Sequence, residues 1–165
     1  MLFNLLVPLA GDFQFFNLFR YLTFRTGGSV VTALVISFII GPYVINWLKS
    51  KQGEGQPIRE DGPASHLLTK RGTPTMGGSF ILIALLVSTL LWADLSNGFV
   101  WVVLFVTAGF GLIGFADDYR KLTRRSHHGV SGRIRLAVEF GIVAVAFVWI
   151  AHLTGQPLAT SLAAV

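Results

Sequence analysis

Cysteine is absent from this 165-residue sequence, and charged residues are scarce, at 13% of the chain. Without cysteine, disulfide bonds and thiolate metal sites are excluded. With 53% hydrophobic residues, the chain is too apolar for an ordinary soluble domain. No internal repeat is evident, and the first residues lack the basic segment that begins a signal peptide, so we expect no cleavage there. The composition therefore predicts an integral membrane protein.

Four charge-poor hydrophobic runs predict an all-α, polytopic membrane fold. Each run is close to the roughly 20 residues that cross a hydrocarbon core. Ahead of them, the aromatic-rich segment 13–22 predicts a helix that lies at the membrane interface. We expect residues 1–165 to form a single membrane domain. The predicted spans cover residues 30–48, 76–92, 99–116 and 136–153.

Lysine and arginine are concentrated in two stretches of the chain. Eleven of the thirteen lie in 49–71 and 120–135. These stretches belong to the predicted loops 49–75 and 117–135, which fall on the same side of the four-span layout. Because cation-rich loops stay in the cytoplasm, this side is predicted to be cytoplasmic, and both termini are predicted to lie outside. The second span then begins at the cytoplasmic face, and the third ends there.

Two adjacent acids, Asp117 and Asp118, follow the third predicted span. The C-terminal end of a helix is unfavourable for carboxylates, so we expect a compensating cation: Arg120, Lys121, a lysine of the other loop, or a divalent metal. Mg²⁺ suits best among the metals because it takes oxygen ligands and bridges to substrate phosphates. Successive helical residues point about 100° apart. One acid can therefore face a metal or phosphate while the other pairs with a cation.

The start of the second span offers a complementary anion site. Free backbone N–H groups and the positive helix end attract anions, and Gly77 and Gly78 let a phosphate or another backbone approach closely. Thr73 and Thr75 contribute hydroxyl groups, and Lys70 contributes charge. Carboxylates near a phosphate-binding helix start indicate metal-assisted phosphoryl transfer.

Each of these features also has an ordinary structural explanation. Acidic pairs occur at solvated helix ends, and a Thr-Pro sequence at the start of a helix is usually a cap. Paired glycines often allow helices to pack closely, and cations beside a membrane span often anchor it at the interface. A small ion transporter with an acidic mouth would carry polar residues inside several spans, whereas these acids lie at one edge. A membrane scaffold without catalytic activity is the second non-enzymatic alternative.

Two segments carry a resemblance to a known enzyme family. They are KRGTPTMGG at 70–78 and GFADDYRK at 114–121. They resemble two signatures of the phospho-N-acetylmuramoyl-pentapeptide-transferases, within the polyprenyl-phosphate N-acetylhexosamine-1-phosphate transferases, and the segment 63–66 is similar as well. The first motif is typical of the muramoyl branch, which argues against a sister transferase for another UDP-amino sugar.

The resemblance implies a reaction and the place where it occurs. Phospho-N-acetylmuramoyl-pentapeptide would move from UDP to undecaprenyl phosphate, giving lipid I and UMP. This step belongs to peptidoglycan synthesis, and hence to cell wall biogenesis, cell shape and cell division. It would require Mg²⁺ and take place at the cytoplasmic face of the bacterial inner membrane. Nucleic acid is not expected as a partner.

The resemblance also implies residue roles. Asp117 would act as the base or stabiliser for the attacking lipid phosphate, and Asp118 would organise the site with Lys70. Lys70 and Thr75 would lie near the nucleotide and diphosphate, and either acid is a candidate metal ligand. The substrate-binding set comprises Thr73, Thr75, Gly77, Gly78, Arg133 and Arg135.

The sequence also departs from the family pattern. His66 stands four positions before Lys70, whereas the family pattern has three. Arg135 stands where the family usually has lysine. Its planar guanidinium would bind phosphate through two N–H groups, whereas the ammonium of lysine acts as a point charge. The family is about twice as long, with ten spans, a later Asp-containing magnesium motif and a His-rich loop. We therefore expect this chain to be the N-terminal part of a dimeric transferase. We expect it to be inactive alone, with the principal metal ligand outside it.

Overall fold

The computed structural model describes residues 1–11, 13–52, 77–124 and 129–155. Two 3-10 helices, Pro8–Gly11 and Gln14–Arg20, lie between the first two α-helices. No strand occurs in these ranges, so the predicted all-α class is confirmed. The α-helices are α1 (Leu2–Leu6), α2 (Leu22–Gln52), α3 (Gly77–Trp92), α4 (Gly98–Arg124) and α5 (Gly132–Thr154).

Within the described ranges, three helices are long and apolar enough to cross a membrane: Leu22–Ser50, Gly98–Thr123 and Gly132–Thr154. The apolar helix α3 coincides with the second predicted span but has 16 residues. At 1.5 Å per residue it covers about 24 Å, slightly less than the roughly 30 Å of a hydrocarbon core. Its described part begins directly after the undescribed residues 53–76, so the four-span layout stays a prediction.

All three helices that are long enough to cross a membrane extend beyond the predicted spans, and α2 and α4 do so most. α2 begins at Leu22, because the charge of Arg25 is accommodated within the protein: its guanidinium lies 4.4 Å from the centre of the Phe3 ring, an attractive arrangement. α4 continues to Arg124, so the helix end expected at residue 116 is wrong. Residues 117–124 contain good helix formers and an i,i+4 ion pair, which favour further turns.

The helices α2 to α5 pack in chain order as an open row. α2 packs on α3, α3 on α4, and α4 on α5, while α2 and α5 make no substantial contact in the described part of the chain. Two glycines of α4 allow close approach on its two sides. The Leu82 side chain of α3 lies against Gly111, and the Ile142 side chain of α5 lies against Gly109.

An aromatic cluster attaches the N-terminal segment to α2 and α3. Trp92 stacks on Phe19 with ring centres 5.6 Å apart, and Phe24 meets the indole edge-on at 5.9 Å. The indole fits over Gly28, where a Cβ would lie 2.5 Å from its ring. Its Nε1 donates a 2.9 Å hydrogen bond to Thr32 Oγ1. These contacts place the C-terminal end of α3 beside the first turns of α2.

The short helix predicted within 13–22 is present as the 3-10 helix Gln14–Arg20. Phe13 and Phe15 at its beginning keep 65% and 67% of their surface exposed, whereas Phe19 is buried. Exposed aromatic rings on a short helix suit the headgroup level of a membrane, and the interfacial position stays a prediction.

The turn between α3 and α4 is organised by Asp94. Its Oδ1 accepts hydrogen bonds from the Ser96 hydroxyl at 2.5 Å, from the Ser96 N–H at 3.0 Å and from Asn4 Nδ2 at 3.3 Å. The Ser96 hydroxyl is the main reason that the pKa of Asp94 lies below its ordinary value of 3.8. Because this turn is short, α3 and α4 run antiparallel, and the start of α3 lies on the same side as the end of α4.

Candidate functional site

Asp117 is held by contacts from two segments. On its own helix, the Lys121 Nζ lies 2.6 Å from Asp117 Oδ2. From the turn that precedes α5, the Val130 N–H donates a 2.7 Å hydrogen bond to Asp117 Oδ1. Both carboxylate oxygens therefore have donors, and Lys121, one of the predicted compensating cations, pairs with Asp117. Only 17% of the Asp117 side chain is exposed, so these two donors replace most of its water.

The position of Asp117 in α4 changes the electrostatic argument made from the sequence. The helix continues seven residues beyond Asp117 to Arg124, whereas the dipole acts mainly within the last turn. Repulsion by the helix end is therefore weaker than predicted. Lys121 compensates the charge of Asp117 directly.

Gly129 allows the close contact between this turn and α4. A Cβ built on Gly129 would overlap the Asp117 carboxylate. Sequence reasoning missed this role because the hydrogen bond joins residues 13 positions apart, across a loop without periodic structure. The only sequence signal was a glycine shortly before a helix.

The two candidate arginines of α5 differ in their surroundings. Arg135 Nε donates a 2.8 Å hydrogen bond to Glu139 Oε1 within the same helix. Its charge is also close enough to Asp117 for the two to attract each other. Arg133 is exposed at the first turn of α5 and has no ion pair among the described residues. Arg133 is thus available to an anionic ligand, whereas Arg135 is partly neutralised.

Asp118 differs from Asp117 in its contacts. It is partly exposed and has no hydrogen bond or ion pair to any described residue. It follows Gly111 by seven residues, close to two helical turns, and therefore lies on the side of α4 that faces Leu82 of α3. The adjacent acids thus differ: Asp117 faces the turn before α5, and Asp118 lies toward α3.

The same geometry brings Asp118 near the beginning of α3. Leu82 of α3 and Gly111 of α4 are in contact. At about 1.5 Å per residue, Gly77 lies roughly 8 Å from this contact along α3, and Asp118 lies roughly 10 Å from it along α4. Because the two helices are antiparallel, both distances run toward the same side. A Cβ on Gly77 or Gly78 would meet no described atom within 4 Å. The described structure therefore leaves room beside Gly77 and Gly78.

Part of the predicted site lies outside the described residues. Lys70, Thr73 and Thr75 belong to this part, as does the predicted Thr-Pro helix start. The structure brings together Asp117, Lys121 and the turn before α5, and it places Asp118 on the side of α4 that faces α3.

The described carboxylates provide only part of a Mg²⁺ site. Among the described residues, no group of three or more His, Asp or Glu side chains is arranged to hold a metal. Proteins often bind Mg²⁺ through one or two carboxylates together with substrate phosphates. No described residue donates to the Asp118 carboxylate, whereas both oxygens of Asp117 are already engaged.

The fold and the site together define a class of protein. This is a multi-pass α-helical membrane protein in which the Asp118 carboxylate has no hydrogen bond or ion pair to any described residue. The phospho-N-acetylmuramoyl-pentapeptide-transferase signature 1 matches residues 70–82, which include the beginning of α3.

Curated relatives match nearly the whole chain. A phospho-N-acetylmuramoyl-pentapeptide-transferase of Granulibacter bethesdensis is 58% identical over 99% of this chain and 45% of its own length. Proteins of the same name from Maricaulis maris and Dinoroseobacter shibae are 57% and 61% identical, over 92% and 90% of this chain and 41% of each relative. The family predicted from the two motifs is thereby confirmed, and this chain corresponds to the N-terminal part of its relatives. It spans less than half of their length.

Proposed function

We propose that this chain forms the N-terminal part of an enzyme that transfers phospho-N-acetylmuramoyl-pentapeptide from UDP to undecaprenyl phosphate. The products are lipid I and UMP. The observation that carries the proposal is the 58% identity over 99% of the chain to a protein named for this reaction. The signature match over 70–82 favours the muramoyl substrate over another UDP-amino sugar.

The site residues take complementary roles in this proposal. Asp118 and the backbone at Gly77 and Gly78 face the diphosphate, and Lys70 contributes a positive charge beside them. Asp117 acts on the lipid phosphate from its anchored position, as base or stabiliser. The open space beside the start of α3 supports this arrangement, because a helix N-terminus without side chains suits a phosphate.

The remaining substrate contacts come from side chains around this centre. Thr73 and Thr75 donate hydroxyl groups to phosphate oxygens. Arg133, which has no described ion pair, binds an anionic part of a substrate, and Arg135 balances the charge around Asp117.

Magnesium completes the proposed chemistry. When bound, it neutralises charge on the diphosphate and the leaving UMP. Asp118 would hold it together with phosphate oxygens, and the principal protein ligand lies beyond this chain. The chain's own residues orient the two phosphorylated substrates in line.

The proposed setting is the bacterial inner membrane, with the site on the cytoplasmic face. The concentration of cations in the two loops beside the site supports this orientation. The full-length protein is proposed to be a homodimer, and residues 1–165 alone are proposed to be inactive.

A chimera tests the function directly. Residues 1–165 would replace the corresponding part of the Granulibacter bethesdensis relative, followed by the remainder of that protein. The assay is Mg²⁺-dependent release of UMP from UDP-MurNAc-pentapeptide and undecaprenyl phosphate, with and without EDTA. We expect activity in the chimera and none from the 165-residue chain alone. An inactive but folded chimera would contradict the proposed function and favour a scaffold or transporter.

Three aspartate variants of the chimera test the site. Asp117→Asn and Asp118→Asn should each lower kcat roughly 100-fold or more, because a charged group in the transition state is lost. Asp94→Asn is the matched control, since Asp94 lies at the opposite end of α3 and α4, and it should leave kcat unchanged at neutral pH. Equal losses in all three variants would contradict the assignment.

A further inference from the structure

The turn before α5 approaches the Asp117 carboxylate more closely than any side chain would allow. Val130 donates its backbone N–H to Asp117 Oδ1 at 2.7 Å. For the turn to reach this position, the preceding residue must lie against the carboxylate. That residue is Gly129, and a Cβ there would overlap both the carboxylate oxygen and its carbon.

We propose that Gly129 is a positioning residue of the active site, an inference that rests on the proposed function. Its missing side chain lets the Val130 N–H and Lys121 hold the Asp117 carboxylate from two sides. A methyl group at residue 129 would push the carboxylate away, because an aspartate side chain is short and cannot retreat while both contacts persist. At least one of the two donors would then lose its acceptor.

Holding Asp117 also restricts the end of α4. The hydrogen bond from Val130 links the turn to α4 at the level of the acidic pair, and Asp118 follows directly on the same helix. Rotation of α4 about its axis would break the bond to Val130 and would also turn Asp118 away from the beginning of α3. The turn thus keeps the two acids in their separate directions, one toward α5 and one toward α3.

The proposed role is specific to this glycine. A Cβ at Gly132 or Gly141 of α5 would meet no described atom within 4 Å, so glycine is not required there by close contact. Gly141→Ala is therefore a matched control, with the same change of one methyl group in the same helical hairpin. It is expected to leave the chimera active.

The first experiment compares Gly129→Ala with Gly141→Ala in the chimera. Displacement of a catalytic group by about 1 Å costs up to about 100-fold in rate, so we expect Gly129→Ala to lower kcat roughly 10- to 100-fold. The KM for UDP-MurNAc-pentapeptide should change less than about 2-fold, because the substrate contacts remain. An unchanged kcat, or an equal loss in both variants, would overturn the proposal.

The second experiment measures melting temperatures in a double-mutant cycle of Gly129→Ala and Asp117→Ala. Truncation of Asp117 removes the overlapping atoms, so Gly129→Ala should lower the melting temperature in the parent chimera and not in the Asp117→Ala background. Equal shifts in both backgrounds would overturn the contact. This measurement does not depend on activity. An inactive chimera would count against the proposed function, while the cycle would still test the contact between Gly129 and Asp117.

Discussion

The ion pair between Lys121 and Asp117 allows a quantitative test. We consider Lys121→Met, which keeps an aliphatic side chain and removes the charge. The Nζ and Oδ2 atoms are 2.6 Å apart, and 24% and 17% of the two side chains are exposed. The pair is therefore more buried than a surface ion pair, yet water still reaches both of its members.

These exposures bound the expected effect on stability. Exposed pairs contribute about 0–1 kcal/mol, whereas loss of one partner of a fully buried pair costs about 3–5 kcal/mol. The hydrogen bond from Val130 remains and continues to stabilise Asp117. We therefore expect Lys121→Met to lower the free energy of unfolding by about 1–2 kcal/mol, between the two limits.

A double-mutant cycle with Asp117→Asn isolates the pair. Asparagine keeps an oxygen for the Val130 N–H but needs no cation, so Lys121→Met should cost about 1 kcal/mol less in that background. The measurement is reversible unfolding of the chimera by SDS titration in mixed micelles. Lys49→Met is the control, since Lys49 is exposed and has no ion pair in the described ranges. Additivity within about 0.5 kcal/mol would refute the reasoning.

Three further predictions concern the rest of the fold. Thr32→Val should lower the free energy of unfolding by about 1–2 kcal/mol, because the Trp92 indole N–H loses its acceptor; an unchanged SDS midpoint would contradict this. The pKa of Asp94 is lower in the folded protein than its ordinary value. Ionised Asp94 therefore stabilises the fold fully at pH values above the ordinary aspartate pKa, and this stabilisation is lost as the pH falls through the pKa of the folded state. Acidification below about pH 4 should therefore lower the melting temperature of the parent chimera more than that of Asp94→Asn. Gly111→Ala should cost about 1–3 kcal/mol by crowding the contact with α3, whereas Gly114→Ala, in open space, should cost little; equal costs would contradict the proposed packing.

Much of the architecture could be predicted from local sequence. Uncharged runs of about 20 residues predict helices in a membrane because the backbone must satisfy its own hydrogen bonds there. Helix ends are harder to predict, because a charged residue after an apolar run predicts the end of a membrane span but does not end the helix. Arg25 lies within α2 over the Phe3 ring, and Asp117 lies within α4 beside Lys121. In both cases a contact within the protein stabilises the charge inside the helix.

By itself, the sequence determined the helical membrane character and the adjacent acidic pair. These depend on composition, on adjacent residues and on helical periodicity. Only the tertiary structure decided that Asp117 is held from two sides while Asp118 has no partner among the described residues, and that Gly129 allows the close contact with Asp117. The physical reason is distance along the chain: the bond from Val130 to Asp117 joins two segments across a loop. No local pattern specifies that contact, which forms only when α4 and α5 pack together.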